Sequence, residues 1–560
     1  IRSTLSVELP LRQFFDTPSI AQLAVTVETL MSEGEAGGAS HTLQQAIKPT
    51  AQNNIAPLSS AQQRLWLLNQ LESNSTAYNL KRALRLTGEL NLSLLERSLQ
   101  AIVDRHAVLR TTFRSIDGRP VQVVHSSVEV DLAVVDLGEV GEVSRQDALN
   151  QEIGAIATHN FDLQQGPIFR FGIIQLSDTE HVLVVNVHHI AFDGWSFRIF
   201  FKELSALYSA FYQGESSPLP SLDIQYLDFA CWQQNWLQSE SYQAQLQYWK
   251  AHLHNAENVL NLPTDYKRPP VQTYNGATYS QRLSYKLKED LHALSRQTGT
   301  TLFMTMLSAF KTLCYRFTHQ KSLIIGSPIA GRNQKEVEPL IGFFVSNLVL
   351  HSVLSEDMSF LDLLTQTKQT ALDAYAHQGV PFEALLKELN PPRDLSRTPL
   401  FQVWFNMVNL SELKLSMPGL TARSIKPGES SARFDLTLYV REGEESLSVQ
   451  WLYNSDLFEK DTIAFMGSCF EALLKSIVSA PEQALGTMPM LSPAQQKLLH
   501  PVITEVSTQF PHTEIEQSIP SRFASQVLRH RERLAIKTSQ YEWTYGELNA
   551  AAQRIAVGIL

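Results

Sequence analysis

The stretch EHVLVVNVHHIAFDGWSFRIF, residues 180–200, decides how the rest of the chain is read. Residues 182–187 are apolar and mostly β-branched, as in a buried strand. After the turn, Trp195, Ile199, Phe200, Leu204, Leu207 and Phe211 recur at helical spacing. Between strand and helix lie His188, His189, Asp193 and Gly194. An imidazole therefore sits where a buried strand opens, and Gly194 brings a backbone N–H to a helix start. Those two groups together are what acyl transfer needs. The competing reading makes both histidines core residues and Asp193 an ordinary helix N-cap.

Working outward, alternation of strands and helices continues on both sides. Upstream, residues 91–108 are helical, 121–124 and 130–135 are strands, 151–160 is helical and 168–174 is a strand, which makes an α/β sandwich. Residues 233–253 are amphipathic, and LPTDYKRPP within 261–275 is a Pro-bearing connector. A second lobe repeats the pattern: strands at 277–283, 323–327, 401–408, 434–439 and 448–452, and helices at 288–297, 301–317, 360–376 and 460–479. Two similar lobes with one histidine turn imply a cleft between them.

At either end the composition changes. Residues 1–33 read as the end of a small helical domain, in which Ile20, Leu23, Ala24 and Val27 form an apolar face that cannot be buried alone. Residues 34–56 and 491–516 have linker composition, and 517–560 opens a further domain. No Gly-rich phosphate loop occurs before residue 560. The chain begins Ile1-Arg2-Ser3 without a leader pattern and reads as part of something longer.

With 560 residues and 44% apolar content the chain is an ordinary multidomain globular protein. A net charge of −10 with no compensating basic block argues against a nucleic-acid or anionic-membrane partner. Residues 340–354, among the most apolar, are interrupted by Ser346, Asn347 and His351 and fall short of a membrane span. Cys231, Cys314 and Cys469 match no metal or disulfide spacing, consistent with a cytoplasmic protein that needs no metal.

Separated blocks then resemble, in order, the motifs of the condensation domain of nonribosomal peptide synthetases. They are SSAQQRLWLL (59–68), RHAVLRTTF (105–113), HHIAFDGWS (188–196), YLDFACW (226–232), IGFFVSNLVL (341–350), HQGVPFE (377–383) and RDLSRTPLFQ (393–402). Residues 1–33 are similar to the last helices of a peptidyl carrier domain, and TYGEL (544–548) to the opening motif of an adenylation domain. The resemblance implies an α/β fold of two chloramphenicol-acetyltransferase-like sandwich lobes in a V-shaped pseudo-dimer. The condensation domain would span 57–490, with lobes at about 57–240 and 241–490. Upstream and downstream carrier domains would deliver substrates on 4′-phosphopantetheine arms. The domain binds no cofactor of its own, and the serine holding the upstream arm would lie before Ile1.

The implied reaction is amide formation between an upstream peptidyl thioester and the α-amine of a downstream aminoacyl thioester. His189 would take a proton or orient the amine, and Gly194 N–H would face the oxyanion. The resemblance makes His188 and Asp193 architectural, with Asp193 paired to Arg332 of AGRN or, second, to Arg105; Trp195 and Ser196 are structural at the site. Arg110, Trp66 and Trp232 read as packing residues. Departures from the family pattern are Ala107, Ser346-Asn347, His351 and Gly379.

Gly194-Trp195-Ser196 after the aspartate favours condensation over epimerisation. Histidines in place of aspartates exclude a heterocyclisation domain, and no DFGWG segment marks a CoA acyltransferase. A non-catalytic carrier-recruiting platform stays open beside catalysis. A dual epimerising type would carry a second histidine motif near its start, and no HH occurs between Pro57 and Gln100. The expectation is an L-donor, L-acceptor condensation domain.

Overall fold

Because β-strands with both faces covered read as unbroken apolar runs, the apolar run 182–187 marks the middle of a sheet. The computed structural model describes residues 5, 7, 9, 11–17, 19–35, 46–50, 54–71, 76–408, 415–425, 430–492, 495–496, 518–538 and 541–559. It divides into Ile1–Leu491 and Ser492–Leu560.

The larger unit begins with α1 (Leu11–Asp16) and α2 (Ile20–Glu35), then β1 (Ile55–Pro57), α3 (Ser60–Leu71), β2 (Asn79–Thr87) and α4 (Leu92–Arg105). Next come β3 (Thr111–Ile116), β4 (Arg119–Val124), β5 (Leu132–Asp136), α5 (Glu142–Ala157), β6 (Phe169–Ser177), β7 (Glu180–His188) and α6 (Gly194–Tyr212). In the five-stranded sheet that runs from residues 421–425 through β2, β7 and β6 to β5, strand β7 is central. Its Leu183, Val185 and Val187 join one apolar cluster with α4 and α6, while Val182 and Val184 join another with α5.

The second half contributes α7 (Tyr226–Trp236), α8 (Glu240–Leu253), β8 (Asn275–Leu283), α9 (Tyr285–Gln297), α10 (Leu302–Thr318), β9 (Ser322–Ile329), β10 (Ser346–Val353), α11 (Phe360–Ala376) and α12 (Phe382–Leu389). It ends with β11 (Val403–Val408), β12 (Thr421–Ile425), β13 (Ser430–Ser431), β14 (Leu436–Glu442), β15 (Leu447–Asn454) and α13 (Lys460–Ser479). Seven strands form one sheet in the order β10-β9-β11-β14-β15-β8-β13. One face of it is sealed by α10 and α13 through Phe310, Leu313, Phe470, Leu473 and Trp451. Helix α13 is long and apolar enough to cross a membrane, but it carries Lys460, Asp461, Glu471 and Lys475 and buries Ile463, Met466, Phe470 and Ile477 in this core.

Strand β12 leaves its own half and pairs antiparallel with β2, Thr421 opposite Thr87 and Ile425 opposite Ala83. Gly88, at φ +128°, lies where the two strands meet: a Cβ there would lie 2.0 Å from Gly419 O. This exchange is not legible in the sequence, because an edge strand such as TARSI has little burial pattern. Strands β2 and β10 also escape the sequence reading. The stretch 233–253, expected as one amphipathic element, is two helices, the second capped by Ser239 accepting from Tyr242 N at 3.2 Å.

Of the stretch 34–56 expected as a linker, residues 36–45 and 51–53 lie outside the described residues. Ile47 is buried, Thr50 donates through N and Oγ1 to Asp228 Oδ1 at 2.7 and 2.6 Å, and Ile55–Pro57 pairs with β4. Most of 491–516 lies outside the described residues. Upstream, α1 sits on α11, with Arg12 3.6 Å from Asp373 and Lys368 Nζ 5.7 Å from the Phe15 ring centroid.

The smaller unit holds α14 (Ile519–His530), the antiparallel pair β16 (Leu534–Lys537) and β17 (Glu542–Thr544), and α15 (Tyr545–Ile559). TYGEL starts α15 with reciprocal caps: Glu547 Oε2 accepts from Thr544 N at 2.9 Å, and Thr544 Oγ1 from Glu547 N at 3.3 Å.

Candidate active site

Strand β7 ends at His188, a short 3₁₀ turn spans His189–Ala191, and α6 begins at Gly194. His188 is buried, and its Nδ1 accepts from Ile190 N at 3.2 Å. His189 is held at its backbone by N–H donation to Tyr78 O at 2.8 Å. Its Nδ1 lies 2.6 Å from Phe192 O. A carbonyl can only accept, so Nδ1 carries the proton and the neutral ring keeps its lone pair on Nε2. The Phe343 ring stands 4.6 Å from the imidazole, centroid to centroid.

Burial pushes both imidazoles down to about 3. For His188 the next causes are His189 and then Arg433; for His189 it is Arg433, while the Phe192 carbonyl acts in the opposite direction. Both rings are therefore neutral throughout the physiological range.

Asp193 is fully buried and caps α6. Its Oδ1 accepts from Ser196 N at 2.7 Å and Ser196 Oγ at 2.8 Å, and its Oδ2 from Phe344 N at 3.1 Å. Arg332 Nη2 lies 3.2 and 3.3 Å from the two carboxylate oxygens. The same guanidinium donates from Nη1 to Val337 O at 2.7 Å and Leu340 O at 2.6 Å, and lies 4.2 Å from the Phe344 ring centroid. Ser196 Oγ accepts from Gly342 N at 3.1 Å. One carboxylate thus ties the histidine turn of the first half to the loop 332–344 of the second.

Arg105, the second candidate for that pairing, goes elsewhere. Its Nε donates to Glu203 Oε1 at 3.0 Å and its Nη1 to Pro220 O at 2.6 Å. Glu203 Oε2 lies 2.9 Å from His106 Nε2, and His106 Nδ1 accepts from Ile341 N at 3.3 Å. Sequence reasoning misses this buried network, although RHAVLRTTF contains both basic members. It also misses Tyr226, which donates to Phe343 O at 2.7 Å and lies 2.9 Å from Ser59 Oγ. Only side-chain chemistry within YLDFACW and SSAQQRLWLL hints at that link.

Gly194 is the first residue of the 19-residue α6, and its N–H has no partner among the described residues. A Cβ on it would meet nothing within 4 Å, so an alanine there would not crowd the turn. Trp195 lies under Arg198, 5.4 Å from centroid to guanidinium carbon. Trp232 stacks between Phe229 and Trp236 and touches both main clusters. Arg110 is not packing alone: it donates to Val103 O at 3.1 Å and Ser126 O at 3.1 Å, closing the loop ahead of β5.

Of the departures, Gly379 has a steric account, since a Cβ would stand 2.7 Å from the Trp236 ring. Its N–H donates to Gln245 Oε1 at 3.1 Å. Ser346 and Asn347 open β10 opposite Ile329 and Pro328. His351 Nε2 lies 3.0 Å from Ser322 Oγ on the neighbouring strand. Among the described residues no cluster of His, Cys, Asp or Glu has metal-binding geometry.

A fold of two linked α/β halves with a neutral histidine at their junction defines an acyltransferase-type scaffold. The condensation-domain family model matches residues 52–500, and the chain belongs to that family. Condensation domains of nonribosomal peptide synthetases form peptide C–N bonds and work with phosphopantetheine arms on carrier domains. The chain is 39% identical over 558 residues to a linear gramicidin synthase polypeptide of Brevibacillus parabrevis, covering 99% of this chain and 11% of that protein. To surfactin synthase subunit 1 of Bacillus subtilis (strain 168) it is 35% identical over 556 residues, covering 99% of this chain and 15% of the other. It therefore spans only a small part of these relatives.

Among solved structures, the X-domain from teicoplanin biosynthesis superposes with a TM-score of 0.73 at 27% identity, over 80% of this chain and 100% of that one. A four-domain nonribosomal peptide synthetase bound to AMP and glycine matches in fold with a TM-score of 0.72 at 22% identity, over 88% of this chain and 38% of that one.

Proposed function

We propose that this chain joins an upstream L-peptidyl or L-aminoacyl carrier thioester to the α-amine of a downstream aminoacyl carrier thioester, with His189 and Gly194 at the reacting atoms. The observation that carries the reading is the fixed tautomer of His189: Nδ1–H is committed to Phe192 O, so Nε2 keeps its lone pair, and Gly194, five residues on, opens α6.

A free α-amine with a pKa near 8 is roughly one-tenth neutral at pH 7 and attacks without prior activation. Attack forms the C–N bond and leaves an ammonium on a tetrahedral oxyanion. Gly194 N–H, reinforced by the start of α6, faces the developing negative charge. His189 Nε2 takes the ammonium proton, the C–S bond breaks, and the imidazolium returns the proton to the departing thiolate. An imidazole held so far below its usual pKa keeps that proton only transiently, which suits a shuttle. His188, Asp193, Ser196 and Arg332 hold the turn in place.

Residues 1–33 as the end of a carrier domain and 517–560 as the start of an adenylation domain fit the same assembly, with TYGEL at a helix start in support. Free cysteines at Cys231, Cys314 and Cys469 agree with a reducing cytoplasm. The absence of HH between Pro57 and Gln100 supports an L-donor over a dual epimerising type. The test is intact-mass analysis of the downstream carrier after mixing this protein with both loaded carriers. A mass gain equal to the donor acyl group is expected; no gain with saturating carriers leaves the non-catalytic platform. Consumption of a D-terminated donor faster than its L-counterpart overturns the stereochemical reading.

A further inference from the structure

The open face of the seven-stranded sheet carries cations without acids. Across its strands, Tyr439 stands opposite Gln450 and Gln450 opposite Ser280, while Arg441 stands opposite Ser448 and Ser448 opposite Arg282. Arginines on a sheet face are ordinarily balanced by cross-strand acids; here every facing position is neutral or basic. Ser280, Arg282, Arg441, Ser448 and Gln450 line a cavity of about 210 Å³.

Two more arginines reach this region from partly buried positions. Arg82, on β2 opposite Val185, lies 4.8 Å from the Phe197 ring centroid and donates to Lys81 O at 2.9 Å. Arg433 lies 4.8 Å from the Tyr78 ring centroid and donates to Ala77 O at 2.9 Å. Arg82, Arg433 and Arg441 all act electrostatically on the Tyr439 phenol. Among the described residues none of the three has a carboxylate within ion-pair distance, whereas nearby Arg64 is paired with Glu383 at 3.1 Å. Arg441 is exposed, but Arg82 and Arg433 are partly desolvated cations without counter-ions, which is costly, and such groups are retained where a ligand supplies the charge.

Arg433 adjoins the reaction centre, because the residue it stacks on, Tyr78, holds His189 N through its carbonyl. A pantetheine phosphate lies at the far end of the arm from the thioester, so a group that reaches these arginines while the thioester is at His189 belongs to the acyl part. We infer that Arg82, Arg433 and Arg441 bind a carboxylate carried by one of the two acyl groups, so the substrate is an acidic aminoacyl or peptidyl residue. The inference rests on the condensation reading and names its substrate class.

The experiment measures calorimetric binding to the whole chain of pantetheine amide analogues, in which nitrogen replaces the thioester sulfur. Glutamyl and glutaminyl versions, with the side-chain carboxylate or amide free, are each made with and without the pantetheine phosphate. The glutamyl probe is expected to bind about tenfold tighter than the glutaminyl one, the difference between a charged and a neutral hydrogen bond. Phosphate should not change that ratio. Arg441→Gln and Arg82→Gln, each checked for an unchanged melting curve, should bring it close to one. A ratio of one in the unaltered protein overturns the inference. So does a loss in the variants confined to the phosphorylated probes, which identifies the arm's phosphate as the anion. Transfer of neutral acyl groups without an acid preference leaves condensation standing and removes the acidic substrate; an acid preference in binding with no transfer of any loaded substrate does the reverse.

Discussion

Replacing Asp193 by alanine removes the only carboxylate that joins the histidine turn to the loop 332–344 among the described residues. Three consequences add. The N-cap of α6 is lost, worth about 0.5–2 kcal/mol. The Phe344 N–H, buried beside it, loses its acceptor. Arg332, with a side chain only 2% exposed, keeps its charge without a counter-ion. Breaking a buried pair in this way typically costs about 3–5 kcal/mol. Asp193→Ala should therefore unfold at distinctly lower denaturant concentration than the parent, with reduced transfer as a consequence. The assay is urea unfolding followed by tryptophan fluorescence, run beside Arg332→Met and the double variant. Much of the penalty is the orphaned charge, so the double variant should lose clearly less than the sum of the single losses. An unchanged midpoint for Asp193→Ala with lost transfer would refute the reasoning and move Asp193 into the chemical step; additive losses would show that Arg332 and Asp193 do not depend on each other.

His189→Ala should slow single-turnover transfer by roughly 10²–10⁴-fold with an unaltered melting curve; transfer at the parent rate under saturating carriers would exclude it from catalysis. Both histidines are lowered to about 3 in the folded chain, so below pH 6.5 the unfolded chain binds protons that the native one does not. Stability should accordingly fall from pH 6.5 toward 3, while the transfer rate follows the acceptor amine and shows no inflection near 6.5; an inflection there would mean His189 titrates as an exposed imidazole. Lys311 is fully buried, with Nζ 2.7 Å from Ser352 Oγ and 3.4 Å from Thr367 Oγ1, and burial pushes it down to about 7. The unfolded chain holds that proton up to about pH 10, so between pH 10 and 7 the native state is increasingly disfavoured as pH falls. Lys311→Met should raise the unfolding midpoint at pH 7 by more than at pH 10, and a lower midpoint at pH 7 would show that the two hydroxyl contacts outweigh the desolvation.

Local patterns carry far in this chain. The run 182–187 marks β7, the period of Trp195, Ile199 and Phe200 marks α6, and apolar spacing alone bounds Phe360–Ala376 and Lys460–Ser479. The ordered motif blocks place the family, because each is short and contiguous. Amphipathic spacing is less reliable where helices meet, as at 233–253, since two helices with a capped break share one apolar stripe.

What the sequence determined, then, were the strongly patterned elements such as β7, α6, α11 and α13, the histidine turn and the family, since these depend on side chains within a few residues of one another. Only tertiary structure decided that Asp193 meets Arg332, 139 residues away, while Arg105 turns to Glu203. It alone sent β12 into the other sheet and brought Arg82 from β2 toward Arg441 on β14. Those pairings follow from strand register and from how two folded halves meet: a register slip of one residue would turn Arg82 or Arg441 to the opposite face of its sheet.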